Sequence, residues 1–349
     1  MNNLLVTGGA GFIGSNFIHH MIHRYPWYTI VNLDSLTYAG NLENLSDVMA
    51  HKTYHFIKGD IRDRTLVDSI FQTYDIDTVV NFAAESHVDR SLLDPEIFVR
   101  TNVLGTQVLL EASLNYWKVR LDELGYPMYK EGVKYLQIST DEVYGTLEDE
   151  AGFTETTALS PNSPYSASKA SADLLVRAYS KTFHLPINIT RCSNNYGPYQ
   201  FPEKLIPLMI INALSDKALP VYGDGMQIRD WIHVKDHCKA IDKVLHEGAL
   251  GEVYNIGGHN EQANIDIVKL IISRLHKADS LINYVKDRLC HDKRYAIDNA
   301  KIRTLGWESD YDFDHGMAET IQWYLDHQTW CEHVITHDYI QYYKKVYGE

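Results

Sequence analysis

The sequence predicts an α/β fold, a doubly wound parallel sheet joined to a smaller C-terminal substrate-binding lobe, and two patterns carry that reading. Apolar, β-branched runs at residues 4–7, 29–33, 54–57, 78–81, 135–138 and 187–190 alternate with helical stretches, the rhythm of strand–helix–strand units. Past about Asn195 that rhythm breaks into segments punctuated by Gly and Pro, among them Tyr196-Gly197-Pro198, Leu219-Pro220 and Gly223-Asp224-Gly225.

Taken in order, the first run leads through a glycine turn into a helix at 15–24, and the second ends at Asp34. Residues 116–134 read as a helix passing into a Gly- and Pro-containing loop, and Tyr165 opens a long helix. Helices are expected to resume near Asn264 and Phe313. The expected division is residues 1–195 for the sheet and 196–349 for the second lobe, with interleaving of the two allowed for.

Hydrophobic residues make up 45% of the 349-residue chain and charged residues 22%, enough apolar material for a full core. No apolar run reaches the roughly 18 residues of a spanning helix, and Met1 to Thr7 enters a strand without a leader pattern. A cytoplasmic protein with no membrane partner is expected. Cys192, Cys238, Cys290 and Cys331 are too far apart for a metal or redox pair, so free thiols are expected. A net charge of −14 argues against nucleic acid as a partner and means that an anionic substrate needs a local cation cluster, with Lys204, Arg229 and Arg288 as candidates. His19 and His23, with His20 between them, have no accompanying third ligand, so no metal is expected.

Gly8, Gly11 and Gly14 lie in Thr7-Gly8-Gly9-Ala10-Gly11-Phe12-Ile13-Gly14, after a strand and before a helix. Glycines there let backbone approach a pyrophosphate, and the helix N-terminus offers it unpaired N–H groups, the requirements of a Rossmann dinucleotide site. Asp34 stands 20 positions beyond Gly14, where a carboxylate can accept from ribose hydroxyls and repel a 2′-phosphate. No Arg occupies Ser35-Leu36-Thr37, so NAD is the expected cofactor.

Thr140-Asp141-Glu142 sets a hydroxyl and two acids side by side after a strand. Alone the acids would also fit a solvated turn, as Glu148, Asp149 and Glu150 show. Tyr165 and Lys169 share one helical face, where an ammonium near a phenol favours the phenolate and so general-base catalysis. The same spacing recurs at Tyr54/Lys58, in an apparent strand, and at Tyr126/Lys130, beside Pro127. Of the three pairs, Tyr165/Lys169 opens a long helix, behind a strand that ends near Thr140.

These motifs, with Phe82-Ala83-Ala84-Glu85-Ser86-His87-Val88-Asp89, Arg191-Cys192-Ser193-Asn194-Asn195-Tyr196-Gly197-Pro198 and Gln227-Ile228-Arg229-Asp230-Trp231, resemble the extended short-chain dehydrogenase/reductases. The acid pair most resembles the dTDP-glucose 4,6-dehydratase family. That resemblance implies conversion of dTDP-glucose to the 4-keto-6-deoxy sugar and water by C4 oxidation, 5,6-elimination and C6 reduction with bound NAD. Thr140, Asp141, Glu142, Tyr165 and Lys169 would be catalytic: Tyr165 takes the O4 proton with Thr140 on the same oxygen, Glu142 takes the C5 proton, and Asp141 protonates the departing C6 hydroxyl. Their different duties require the two carboxyls to be driven apart in pKa.

For the cofactor the resemblance implies Gly8, Gly11, Phe12, Ile13, Gly14, Asp34, Ser35, Leu36, Thr37, Asp60, Ile61, Phe82, Ala83, Ala84, Ser86, Thr101, Tyr165 and Lys169. For the nucleotide sugar it implies, beyond the catalytic group, Ser86, His87, Asn194, Lys204, Leu205, Pro220, Val221, Tyr222, Arg229, Asn264, Arg288 and His291. One departure stands out: the family's Asp-Arg-Pro-Gly-His is Asp287-Arg288-Leu289-Cys290-His291 here, which should reshape that loop. A homodimer through residues 97–113 and 170–182 and a place in dTDP-L-rhamnose synthesis are implied in the same way. A UDP-sugar dehydratase, decarboxylase or epimerase stays open, as does an NAD-binding redox sensor without turnover.

Overall fold

The computed structural model describes residues 1–147, 151–289 and 291–347. Seven strands, β1 (Asn3–Thr7), β2 (Thr29–Asp34), β3 (Tyr54–Lys58), β4 (Thr78–Asn81), β5 (Lys134–Thr140), β6 (Ile187–Cys192) and β7 (Val253–Ile256), form one sheet in the order β7-β6-β5-β4-β1-β2-β3. Every neighbouring pair is parallel. Strand order reverses between β1 and β4, which opens a crevice at the carboxyl edge of the sheet.

Helices cover both faces. Leu4 and Val6 of β1 pack into a layer with Phe17, Ile18 and Met21 of helix Phe12–Arg24 and with Ile241, Val244 and Leu245 of helix Val234–Glu247. Leu5 points the other way, into a layer built by helices Arg64–Tyr74, Thr106–Trp117 and Pro164–Phe183. Strands buried on both faces have no polar side to show, which is why they read as continuous apolar runs.

The six expected strands are present, but β7 was missed. Its four residues, Val253-Tyr254-Asn255-Ile256, are too short and mixed to signal a strand, and they owe their place to β6, with which they pair. The helix before it was also missed, although Val234, Cys238, Ile241 and Val244 repeat at helical spacing. Residues 116–134 differ from the expected helix-to-loop passage: Lys118–Leu121 and Pro127–Tyr129 pair as an antiparallel hairpin. The first of these strands is exposed throughout, so no burial pattern marks it.

The second core gathers Tyr196, Ile206, Leu219, Trp231, Ile267, Met317, Tyr324 and Trp330. Helices Asn264–Arg274 and Phe313–Asp326 begin where expected, whereas Leu205–Leu214 was missed because its nearly unbroken apolar run hides the helical period. The short strand Ile228–His233, flanked by Asn194–Tyr196 and Glu261–Ala263, carries Arg229 toward the crevice. A last helix, His337–Tyr347, returns across this core to the crevice wall.

Candidate active site

The glycine turn leaves β1 with Gly8 at φ +68°, where a side chain would be strained, and a Cβ there would stand 2.7 Å from Ala83 N. A Cβ on Gly14 would meet Gly8 O at 2.4 Å, so only glycine lets the helix start this close to the strand. Asp34 closes the turn, its Oδ2 accepting from Ala10 N at 2.9 Å and its Oδ1 from Leu36 N at 2.8 Å. Burial raises the Asp34 carboxyl and these two N–H groups pull it back.

At the end of β5, Thr140 Oγ1 accepts from Glu142 N at 3.3 Å and donates to Asp141 Oδ1 at 3.2 Å. The 3₁₀ turn Asp141–Tyr144 then sends adjacent acids in different directions. Asp141 goes inward, 2% exposed, with Oδ2 lacking a hydrogen-bond partner among the described residues. Burial, followed by Glu142 and Asp230, drives its carboxyl well above the usual range, with Arg229 opposing. Glu142 lines the cleft; burial raises its carboxyl above the usual range too, with Arg288, Lys204 and Arg229 opposing.

Ser163 starts the helix Pro164–Phe183 with a reciprocal cap, accepting from Ser166 N at 3.1 Å while Ser166 Oγ accepts from Ser163 N at 3.0 Å. Pro164 occupies the first helical turn, so Tyr165 and Lys169 follow at fixed positions. One expectation is corrected here. Lys169 Nζ donates to Ile138 O at 2.6 Å rather than depressing the Tyr165 phenol, which burial and then Glu142 hold well above its ordinary range, opposed by a hydrogen bond with Thr140.

One cleft of about 480 Å³ runs from the glycine turn to the second lobe. All the expected cofactor residues except Leu36 line it, as do Thr140, Glu142, Tyr165 and Lys169. The backbone N–H of Leu36 is turned to Asp34, and Asp141 lies behind the wall. Ser86, His87, Asn194, Lys204, Leu205, Pro220, Val221, Tyr222, Arg229, Asn264, Arg288 and His291 line the other end. There Arg229 is 6% exposed, donates to Ile228 O and Asp292 O, and has its guanidinium 4.3 Å from the Tyr295 ring centroid. Lys204 Nζ donates to Ser86 O at 2.9 Å, and Tyr222 Oη donates to Asp89 Oδ2 at 3.1 Å. Arg288 Nη1 is 3.9 Å from Asp89 Oδ1, and its Nε lacks a hydrogen-bond partner among the described residues. His291 pairs with Asp287 at 2.7 Å; Leu289 is exposed, and Cys290 lies outside the described residues.

Residues 5–320 match the family model described as GDP-mannose 4,6 dehydratase. A dTDP-glucose 4,6-dehydratase of Xanthomonas campestris pv. campestris is 51% identical over 97% of each chain. The chain belongs to the dTDP-glucose 4,6-dehydratase family. Among solved structures, the dTDP-glucose 4,6-dehydratase of Bacillus anthracis in complex with NAD superposes with a TM-score of 0.86 at 50% identity, over 96% of this chain and 100% of that one. The dTDP-glucose 4,6-dehydratase of Streptomyces venezuelae with NAD and TYD bound gives 0.87 at 45% identity, over 94% and 98%.

Several residues at this dehydratase-family cleft escaped the sequence reading. Asp173, one turn beyond Lys169, forms a buried ion pair with Arg191 Nε at 2.9 Å, and Arg191 Nη1 donates to Tyr144 Oη at 2.9 Å. The i, i+4 spacing from Lys169 was its only sequence signal. Glu203, Arg90 and Tyr38 come together only in space, as do Tyr295 and Arg229. Cys192 also lines the cleft, but burial pushes its thiol up to about 12, so it is no nucleophile. His19 Nε2 donates to Asn44 O and His20 pairs with Asp242, and among the described residues no three His, Cys, Asp or Glu side chains gather to hold a metal.

Proposed function

We propose that this chain is an NAD-dependent dTDP-glucose 4,6-dehydratase that forms the 4-keto-6-deoxy sugar and water. The observation that carries the reading is the divergence of Asp141 and Glu142 at the end of β5, beside Tyr165. Simple hydride transfer needs no second acid; removing water across C5 and C6 needs a base at C5 and an acid at O6. The relatives named above, at half the residues identical over nearly the whole chain, support dTDP-glucose over UDP-sugars.

NAD fits the chain: the Gly8 and Gly14 positions leave the backbone bare, the helix Phe12–Arg24 points its N-terminus there, and Asp34 faces the place of a ribose. Bound NAD supplies the oxidant for C4, the reductant for C6 and a cationic ring that favours the Tyr165 phenolate. Tyr165 Oη takes the O4 proton, and Thr140 Oγ1 steadies the same oxygen. Glu142 draws the C5 proton, made acidic by the neighbouring ketone, and later returns one to C5. Asp141, kept protonated by burial, gives its proton to the leaving C6 oxygen. Lys204, Arg229 and Arg288 meet the diphosphate, and Tyr222 the base.

Residues 1–195 then carry the cofactor and the chemistry, and 196–349 the nucleotide sugar, with β7 and its preceding helix returning to the first unit. Exposed Leu93, Val99, Leu104 and Leu174, on helical segments that pack together, support a homodimer. Work in the cytoplasm on the way to dTDP-L-rhamnose completes the reading; among the described residues no helix is long and apolar enough to cross a membrane.

Incubation with dTDP-glucose in deuterated water tests it by mass spectrometry. Loss of one water, one deuterium at C5 and no net cofactor reduction are expected; an unchanged sugar with retained NAD binding sinks the reading and leaves a sensor. Asp141→Asn provides a second check. A raised carboxyl contributes its full stability below about pH 4 and loses it as pH rises toward the folded-state pKa, so at neutral pH this acid costs stability. The variant should melt higher than wild type at pH 7, the gain vanishing near pH 4, while kcat falls about 10²-fold. A lower melting temperature at pH 7 would contradict the assignment.

A further inference from the structure

The C-terminal helix His337–Tyr347 rests on two cleft-lining segments, 86–90 and 202–204, and its contacts settle the state of His87. His87 Nε2 lies 3.3 Å from Glu203 O. A carbonyl has no proton to give, so Nε2 carries the hydrogen and Nδ1 the lone pair. Tyr342 Oη, 3.1 Å from Nδ1, must then be the donor. Burial holds the imidazole below its ordinary range, in keeping with this neutral tautomer. With both nitrogens engaged, His87 is a strut in the wall rather than a donor to sugar.

Arg90 sits one turn further along. Its guanidinium lies 3.6 Å from the Tyr38 ring centroid and 4.0 Å from that of Tyr342, and its Nε donates to Glu203 Oε2 at 3.0 Å. Tyr38 Oη donates to the same carboxylate at 3.0 Å. Lys204 and Arg90 pull the Glu203 carboxyl down against burial. Beside it Lys204 Nζ donates to Ser86 O, and Tyr339 Oη donates to Pro202 O at 3.0 Å. Segments 86–90 and 203–204 are thus stapled by three bonds, and the last helix presses on the staple from outside.

We propose that Tyr342 is a positioning residue: through His87 and Arg90 it holds the Lys204 segment against Ser86, so that the ammonium is presented at the diphosphate end of the cleft. This rests on the reading that the cleft takes dTDP-glucose. Tyr342 is not among the residues lining the cleft, so it acts on the ligand indirectly, with His87 and Arg90 as the partners that reach the wall.

The test compares the full-length wild type with Tyr342→Phe, which keeps the ring for Arg90 and removes the donor to His87, and Tyr342→Leu, which removes both. Steady-state turnover, dTDP binding by calorimetry and amide exchange over residues 199–206 are the readouts. Tyr342→Phe should raise KM for dTDP-glucose and Kd for dTDP about fivefold, as for one lost hydrogen bond, with kcat within about twofold. Tyr342→Leu should raise both about tenfold or more, and exchange at 199–206 should quicken in each. Gln341→Ala, at an exposed site on the same helix, should move none of these. Unchanged KM and Kd in both Tyr342 variants, even with a lower melting temperature, overturn the proposal, as does a fall in kcat at constant KM. A wild type that neither turns over dTDP-glucose nor binds dTDP overturns the functional reading instead; unchanged exchange in Tyr342→Phe then still overturns the strap.

Discussion

Glu142→Gln should leave dTDP-glucose bound to within a few-fold and cut dehydration by about 10²–10⁴, the span of a lost general base. The amide keeps the size and polarity of the side chain, so the wall formed with Arg288, Lys204 and Arg229 stays in place. What it loses is basicity toward the C5 proton, and adjacent Asp141 does not replace it, since burial drives that carboxyl well above the usual range and suits it to giving a proton rather than taking one. Because the step before elimination does not involve Glu142, the 4-keto sugar should still form and accumulate. Rapid quench with product analysis in deuterated water measures both effects. Deuterium entering C5 at near the wild-type rate would remove Glu142 from the role of base.

Tyr165→Phe should lower kcat by a similar factor, about 10²–10⁴, but stop the reaction one step earlier. Phe preserves the ring that packs edge-on to Phe98 at 6.2 Å, so fold and cofactor binding should survive. The lost atom is the phenol oxygen that receives the O4 proton. Lys169 cannot stand in for it, because its Nζ is turned to Ile138 O. Neither the 4-keto sugar nor the dehydrated product should accumulate, and raising the pH should not restore turnover. Accumulation of the 4-keto sugar would place the role of Tyr165 after oxidation and contradict the mechanism.

Much of the machinery these two variants probe is legible in the sequence. Gly8, Gly14 and Asp34 announce themselves because a backbone turn, a helix start and a strand end are local events, spaced by covalent geometry. Tyr165 and Lys169 could be chosen over Tyr54/Lys58 because the first pair opens a long helix and the second lies in a strand. The missed helix Leu205–Leu214 and strand β7 show the limit: one has no polar face to reveal its period, and the other exists through its neighbour in the sheet.

The clasp around Arg90 marks the other limit. Tyr342 is 255 residues from His87, and nothing in either local pattern connects them. The same holds for the electrostatics. Asp141 and Glu142 are adjacent acids in the chain, yet the 3₁₀ turn buries one and leaves the other facing three cations drawn from distant segments. The expectation that Lys169 depresses the Tyr165 phenol failed for the same reason, since one helical face brings the two near each other but does not say where the ammonium points.

The sequence by itself determined the dinucleotide turn and the parallel sheet, which follow from spacing and periodicity along the chain, and its motifs carried the resemblance that pointed to the family. Only the tertiary structure decided that burial raises Asp141 further than Glu142, where Lys169 directs its ammonium and that the last helix packs against the cleft wall. Those properties depend on desolvation and on contacts between segments far apart in the chain, and neither is encoded at any single stretch of it.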